Sequence, residues 1–467
     1  MNKNKTKIIA TVGPNCSDQK YLVDMVAKGV SCFRINLSHG SQKEKKDYFS
    51  LINSLKINGS EIRPPILADL AGPKVRVRKL EETIALNKGD RIIISSGKRG
   101  DGIIPVSKGL VFDTVESGSK IMINDGKVSL KVIKKISGEA FECETLIGGK
   151  IKGKKGVNFI GITLNVPSLT KQDEEDLELA LKNGADWIAL SFTRSKDDFS
   201  LIRSKIKELG YNVPIMAKIE KWEAVSNLDD IIQAFDGVMV ARGDLGVEIP
   251  IERVPVIQKE IIKKAALFGK PVIIATQILD SMIKMPVPTR AEVSDIANSI
   301  LDGADGLLVT GETAMGEYPV EVISVLSKVI HQTEESISYN NKNFVNNTLN
   351  NTAVAISHAA CTIAKDLEMK TIVTMTQSGS TARMVSSFRP AANIYAMTTL
   401  LETSRELSII WGVIPVLVDS YSSSDEIPEL AKNKLIEMKL INENEKFIIT
   451  GGVPVNVPGT TNYISVL

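Results

Sequence analysis

Eight short, nearly continuous apolar runs, most of them followed by an amphipathic helical pattern, organise the chain as far as Ile337. They are Lys7–Val12, Ser31–Leu37, Pro65–Leu70, Asp186–Phe192, Pro214–Glu220, Gly237–Ala241, Pro271–Thr276 and Gly306–Thr310. Runs of this kind are strands buried on both faces, which means a parallel sheet covered by helices. Eight of them in βα order predict a closed (β/α)8 TIM barrel. The rival is an open doubly wound sheet, and the glycine fingerprint it needs is missing. The helical signals agree: a helix capped at Ser17 and ended by Gly29, another over Gln42–Lys56, and a third over Lys171–Lys182. Thr170 and Asp173 form a capping box for the third. Gly-Ala-Asp at 184–186 and 303–305 reads as a helix stop followed by a strand start.

Two segments break the rhythm. From Pro73 to Asn158 apolar and polar residues alternate, with frequent glycine turns, which predicts an inserted all-β domain, a small β-barrel lid. It leaves from the carboxyl end of the third strand, so it should stand over the barrel mouth. Ser338–Asn351 is half asparagine and reads as a linker. Beyond it, helix and strand alternate again, predicting a C-terminal three-layer α/β domain. The expected division is barrel 1–72, lid 73–158, barrel 159–337, linker 338–351 and terminal domain 352–467.

Composition excludes several classes. The 467 residues carry 57 Lys plus Arg against 55 Asp plus Glu, with 43% apolar residues, as in an ordinary soluble globular chain. Cys16, Cys32, Cys143 and Cys361 are scattered, without a CxxC pair, which argues against structural zinc and a disulfide framework. No run approaches a membrane span, and the apolar stretch after the basic amino end is too short for a signal peptide, so a cytoplasmic protein is expected. The near-neutral total hides an asymmetry. Residues 73–158 hold 18 Lys plus Arg against 10 Asp plus Glu, which leaves the remainder acidic and suits closure of a basic lid over phosphates.

Barrel enzymes place chemistry at the carboxyl ends of strands. The residues there are Arg34, Asn36 and Ser38; Asp69; Lys218 and Glu220; Arg242, Gly243 and Asp244; Thr276; Thr310, Glu312 and Thr313. Residues two apart share a face, so Lys218 and Glu220 both address the mouth. Carboxylates with cations and no useful histidine point to an oxygen-only Mg2+ or Mn2+ site, with Arg34 and Lys218 holding a phosphoryl group. Seen singly, each is an ordinary loop position or helix cap; recurrence at five strand ends is what weighs. His39 lies beside the second cluster, whereas His331 and His358 sit in amphipathic helices. A hydrolytic triad and a P-loop are both absent.

Several motifs together resemble pyruvate kinase. They are Thr6 to Pro14 (TKIIATVGP), Arg34 to Gly40 (RINLSHG), Met216 to Glu220 (MAKIE), Val240 to Gly246 (VARGDLG), Ala275-Thr276-Gln277, Pro288 to Glu292 (PTRAE) and Gly311 to Ala314 (GETA). The match covers essentially the whole chain, in order. The resemblance implies phosphoryl transfer from phosphoenolpyruvate to ADP, giving pyruvate and ATP through a Mg-stabilised enolate that is then protonated. It implies Mg2+, for which Mn2+ can substitute, held by Glu220 and Asp244. Arg34, Lys218, Gly243, Asp244 and Thr276 would bind the substrate, with Arg34 and Lys218 stabilising the phosphoryl group and Thr276 relaying the proton. Asn36, Arg76 and Lys155 match nucleotide-contacting positions. A homotetramer is also implied.

One departure is informative. K+-dependent members have Thr and Glu where this chain has Leu70 and Lys74, in a region that also includes Asn36, Ser38 and Asp69. Leu70 removes an oxygen ligand, and the Lys74 ammonium would supply the missing positive charge near Asp69, so turnover without K+ is expected. The bland alternative makes Lys74 a lid-hinge surface charge. In the terminal domain, Thr376, Ser378, Gly379, Ser380 and Thr381 resemble the family's effector phosphate loop. The loop Thr450–Gly459 lacks the Trp and Arg of members activated by fructose 1,6-bisphosphate, which favours a sugar or nucleotide monophosphate.

Two rivals remain at this level. A barrel lyase or aldolase acting on pyruvate enolate would need neither the lid nor a nucleotide. A nucleic-acid binder would use the basic insertion, but that segment has few aromatics for stacking, so no nucleic-acid partner and no membrane partner is expected.

Overall fold

The chain begins with β1 (Lys7–Val12), β2 (Val30–Asn36) and β3 (Ile66–Asp69), which pair side by side in parallel. The computed structural model describes residues 4–55, 63–98, 100–108, 110, 112–337, 351–455 and 461–467. After β3 come the strands of the insertion: β4 (Ile84–Leu86), β5 (Arg91–Ser95), β6 (Ile103–Pro105), β7 (Lys120–Ile123), β8 (Val128–Ser137), β9 (Ala140–Ile147), β10 (Gly149–Ile151) and β11 (Val157–Ile160). The parallel series then resumes with β12 (Trp187–Leu190), β13 (Ile215–Ile219), β14 (Gly237–Ala241), β15 (Val272–Ala275) and β16 (Gly306–Val309). These eight parallel strands close in the order β1-β16-β15-β14-β13-β12-β3-β2, the expected TIM barrel.

Strand alternation divides the core. Ile9, Cys32, Leu67, Ala189, Met216, Met239, Ile273 and Leu308 are buried in one cluster, filling the barrel interior. Ile8, Phe33, Ile66, Ile188, Ile215, Val238 and Leu307 belong to the other, with Leu22, Phe49, Ile231 and Ile261 of the surrounding helices.

The Gly-Ala-Asp signals acquire a physical role. Asp186 Oδ2 accepts from the Ile66 amide at 2.7 Å, and Asp305 Oδ2 accepts from the Val272 amide at 2.9 Å. Asp236 does the same for Ile215 at 2.9 Å. Three strand-start carboxylates thus hold the first amide of a neighbouring strand. The first helix, Gln19–Lys28, starts with Asp18 as its cap, accepting from the Lys20 amide; Ser17 instead donates to the Pro14 carbonyl. The Thr170–Asp173 capping box is present.

The barrel closes where two of the sequence motifs meet. Thr313 Oγ1 donates to the Thr11 carbonyl at 2.8 Å. A Cβ on Gly13 would lie 2.6 Å from both Cβ and O of Ala314, so only glycine lets this turn pass.

The insertion agrees with the small barrel expected. Its described strands run β11-β7-β8-β9-β5-β6, beside a two-stranded sheet of β10 and β4, and residues 75–78 join the two edges of the ladder: Val77 bridges Val106 just past β6, and Arg76 bridges Gly156 just before β11. Phe112, Phe141 and Phe159 make its aromatic centre, with ring centroids 4.9 to 6.1 Å apart. Asn158 Nδ2 ties β11 to the barrel by donating to Glu248 Oε1 at 2.8 Å.

The terminal unit contains β17 (Thr371–Met375), β18 (Asn393–Thr398), β19 (Val413–Leu417), β20 (Ile448–Gly452) and β21 (Thr461–Val466). Their order is β19-β18-β17-β20-β21, four parallel strands with β21 antiparallel at the edge. The pattern of apolar runs does not reveal β21, because an edge strand is half exposed and mixes polar with apolar residues. This unit docks on the lower end of the barrel. Lys7 Nζ donates to the Val413 carbonyl at 2.7 Å, Trp187 Nε1 to the Glu406 carbonyl at 3.2 Å, and Arg389 pairs with Asp305 at 3.1 Å. The expected linker, 338–351, lies outside the described residues except for Asn351, whose side chain caps the helix Thr352–Asp366. Among the described residues no helix is long and apolar enough to cross a membrane.

Candidate active site

Parallel closure brings the strand-end residues of β2, β3, β13 and β14 together at the upper rim. Asp69, at the end of β3, is 1% exposed and carries two cations. Arg34 on β2 donates Nε to Asp69 Oδ2 at 2.8 Å, and Lys218 Nζ on β13 lies 3.1 Å from Asp69 Oδ1. Arg34 Nη1 also reaches Thr11 Oγ1 at 3.1 Å. Lys218 is 2.9 Å from Glu220 Oε1, as the two-residue spacing on one strand face predicts. A fourth pair completes the group: Lys74 Nζ on the first lid connection stands 2.6 Å from Asp244 Oδ1. Three ammonium or guanidinium groups therefore meet three carboxylates.

The electrostatics follow from who shares whom. Burial pushes the Asp69 carboxyl upward, but Lys218 and Arg34 together outweigh it and hold it below the usual range. Burial likewise raises Glu220, and here Lys218 is the one opposing cation while Asp244 adds repulsion, so the net shift is upward. Lys218 is pulled down by burial and held up by Asp69 and Glu220, which win. The ammonium is thus firmly charged. His39 stands at an exposed rim, where burial and then Arg76, Arg34, Lys74 and Lys45 lower its pKa.

Glu220 Oε2 accepts from the Phe192 amide at 2.9 Å, so the carboxylate is fixed at both oxygens. Thr276 has φ 68° and its Oγ1 accepts from the Gly243 amide at 2.8 Å, which places the β14 and β15 ends in contact. Arg242, adjacent to this pair, is committed to Asp295 at 2.6 Å and to the Thr276 carbonyl. Glu312 accepts from the Leu279 and Thr310 amides, and Glu292 caps its own helix at Thr289; both act as architecture. Asn36 Oδ1 accepts from the Ser38 amide at 3.1 Å. Arg76 and Lys155 lie side by side on the two lid connections, where Val77 N donates to the Lys155 carbonyl and Arg76 Nη1 to the Lys154 carbonyl.

Two placements differ from the sequence reading. Lys74 reaches Asp244 rather than Asp69, because Arg34 and Lys218 already saturate Asp69. Ser191 and Phe192, just past β12, enter the site although the sequence does not single them out; a hydroxyl following a buried strand was the available signal. In the terminal unit, Thr376 Oγ1 accepts from the Gly379 amide at 2.9 Å, and Thr381 Oγ1 bonds Thr461 Oγ1 at 2.7 Å. Ser378 is exposed and Ser380 half-buried at the start of the helix Ser380–Ser387.

The donor set suits a hard divalent cation. Glu220 and Asp244 offer carboxylate oxygens, each already facing a cation. Among the described residues no group of three or more His, Cys, Asp or Glu side chains is placed to enclose a metal alone. A Mg2+ ion typically takes one or two carboxylates and completes its shell with water and substrate oxygens, which this donor set would suit.

Comparison with known proteins agrees with this geometry. Residues 3–323 match the pyruvate kinase barrel-domain model, and residues 354–467 match the pyruvate kinase alpha/beta-domain model. A pyruvate kinase of Thermotoga maritima is 41% identical over 467 residues, covering 99% of each chain. That of Clostridium acetobutylicum is 39% identical over 471 residues, again covering 99% of each. A crystal structure of a pyruvate kinase from Cryptosporidium parvum superposes with a TM-score of 0.91 at 34% identity, covering 99% of this chain and 96% of that one. With both family domains matched in order and the resemblance running end to end, the chain belongs to the pyruvate kinase family.

Proposed function

We infer that Lys218 and Arg34 are the cations that carry the family's reaction here, the transfer of a phosphoryl group from phosphoenolpyruvate to ADP to give pyruvate and ATP. The observation that supports this most is the Lys218 ammonium, buried yet held charged between Asp69 and Glu220 at the barrel mouth. Positioned cations stabilise the charge on a transferring phosphoryl group, and removing one such group typically costs roughly 10²–10³ in rate. Lys218→Met should therefore lose activity by at least that factor while folding normally. A variant with near wild-type turnover would defeat the assignment.

The other roles follow in order. Arg34, held by Asp69 and Thr11, would pair with the same phosphoryl group. Gly243, Asp244 and Thr276 would bind the substrate, and the Thr276 hydroxyl would relay the proton that the enolate carbon needs. Asn36, at the end of β2, and Arg76 and Lys155, on the lid connections, would contact the nucleotide. Glu220 and Asp244 hold Mg2+, which the family generally uses and which Mn2+ replaces; when bound it supplies positive charge to the substrate oxygens. Turnover without K+ rests on Leu70, which has no side-chain oxygen, and on Lys74, whose ammonium already sits inside the charge cluster.

Three further readings belong here. A sugar or nucleotide monophosphate would bind at Thr376, Ser378, Gly379, Ser380 and Thr381. The chain would act as a cytoplasmic homotetramer, in keeping with exposed apolar side chains at Ile251, Val256, Met285 and Val287. The domain limits at 72/73 and 158/159 are supported by the change from the parallel barrel to the largely antiparallel insertion and back, while those proposed at 337/338 and 351/352 border a segment outside the described residues.

A further inference from the structure

Lys218 has three acceptors, and only two of them are carboxylates. The third is Ser191 Oγ, 2.7 Å from the ammonium and 2% exposed as a residue. The Ser191 hydroxyl donates to the Leu70 carbonyl at 2.6 Å, with Asp69 Oδ1 a more distant alternative at 3.3 Å. A serine hydroxyl has one proton and two lone pairs. With its proton committed to Leu70, the oxygen can only accept from Lys218.

This contact differs in kind from the other two. A carboxylate competes with an incoming phosphoryl group for the ammonium charge, whereas a neutral hydroxyl does not. Ser191 can stay bonded to one ammonium proton while the remaining protons turn from Asp69 and Glu220 toward the substrate.

The corner that carries Ser191 is well fixed. The Leu70 amide donates to the Ala189 carbonyl at 3.0 Å, so β3 and β12 are stitched above their last paired residues. Phe192 follows at φ 56°, a left-handed conformation uncommon outside glycine. That turn aims its amide at Glu220 Oε2. Gly72, itself at φ 68°, passes over the corner so closely that a Cβ there would lie 2.8 Å from Phe192 Cδ2 and 3.0 Å from Ser191 Cβ.

We propose that Ser191 is a positioning residue for phosphoryl transfer, anchoring the Lys218 ammonium through a neutral hydroxyl acceptor at the end of β12. The proposal rests on Lys218 being the cation that meets the phosphoryl group. Misplacing a reacting group by a fraction of an ångström is costly, so Ser191→Ala should lower kcat by about 10- to 100-fold. KM for ADP and the dissociation constant for Mn2+, measured by paramagnetic resonance, should stay within about twofold, because neither contact involves the hydroxyl. Ser191→Thr, which restores the hydroxyl, should recover most of the lost kcat. A Ser191→Ala enzyme with wild-type kcat overturns the proposal, as does a Ser191→Thr enzyme that melts normally yet stays as slow as the alanine variant. Joint loss of kcat and Mn2+ affinity also overturns it, since the corner would then act through Glu220. Lys218→Met assayed in parallel separates the two levels: an active Lys218→Met defeats the catalytic reading itself, and an inactive one beside a normal Ser191→Ala defeats only the role of Ser191.

Discussion

Lys74 Nζ lies 2.6 Å from Asp244 Oδ1, joining the first lid connection to the helix that follows β14. The pair is partly open to solvent, with side chains 21% and 28% exposed, so its Coulomb energy alone is modest. Its consequence is positional. A fixed positive charge arrives with the lid connection. Wild-type enzyme should turn over at full rate in buffer free of Na+ and K+, and Lys74→Met should become K+-responsive. A steady-state comparison in tetramethylammonium buffer with and without K+ checks both; a wild type stimulated tens-fold by K+ would sink the idea.

Glu220 should control metal affinity more than nucleotide affinity. Glu220→Gln keeps the side-chain volume and one acceptor for the Phe192 amide, but removes a carboxylate charge. The Mn2+ dissociation constant should rise by roughly 10-fold or more, in line with losses seen on disturbing metal ligands and their supports. Paramagnetic titration of the full-length chain reads this directly. Unchanged Mn2+ affinity would move the metal elsewhere.

Glu406 should make the docking of the terminal unit pH-sensitive. Burial, opposed by Arg383, pushes its carboxyl from 4.5 up to about 7. Between those values the unfolded chain ionises while the folded chain keeps its proton. The folded state then binds more protons, and stability falls as pH rises through that window. Relative to Glu406→Gln, the wild-type melting temperature should decline from pH 4.5 to about 7 and level off above. A flat or rising difference curve would contradict this.

Gly13→Ala should destabilise the barrel seam. The new methyl would meet Cβ, Cα and O of Ala314 at 2.6 to 2.8 Å, and the backbone atoms among them cannot swing aside. Overpacking of this kind typically costs about 1–3 kcal/mol. Denaturant melts would show it, and a midpoint equal to wild type would mean that the turn relaxes freely.

The barrel was legible because its strands are buried on both faces, which leaves a continuous apolar run for each. Lys218 and Glu220 were legible as neighbours because strand geometry alone puts residues two apart on one side. The lid was recognised by its alternation, but the short segment 75–78 that joins its two edges was not, since closure depends on which edges pair and not on how residues alternate. β21 escaped for a related reason: an edge strand lacks the uninterrupted apolar signature.

Sequence by itself determined which groups stand at the strand ends, because burial and period dictate where each strand stops. Only the tertiary structure decided how those groups share charge. Arg34 and Lys218, 184 positions apart in the chain, saturate Asp69 and so leave Lys74 to Asp244. Ser191 became visible as the neutral partner of Lys218 in the same way. A pattern along one chain fixes neighbours on a strand, whereas the pairing of side chains from different strands depends on the closed barrel that brings their ends to one rim.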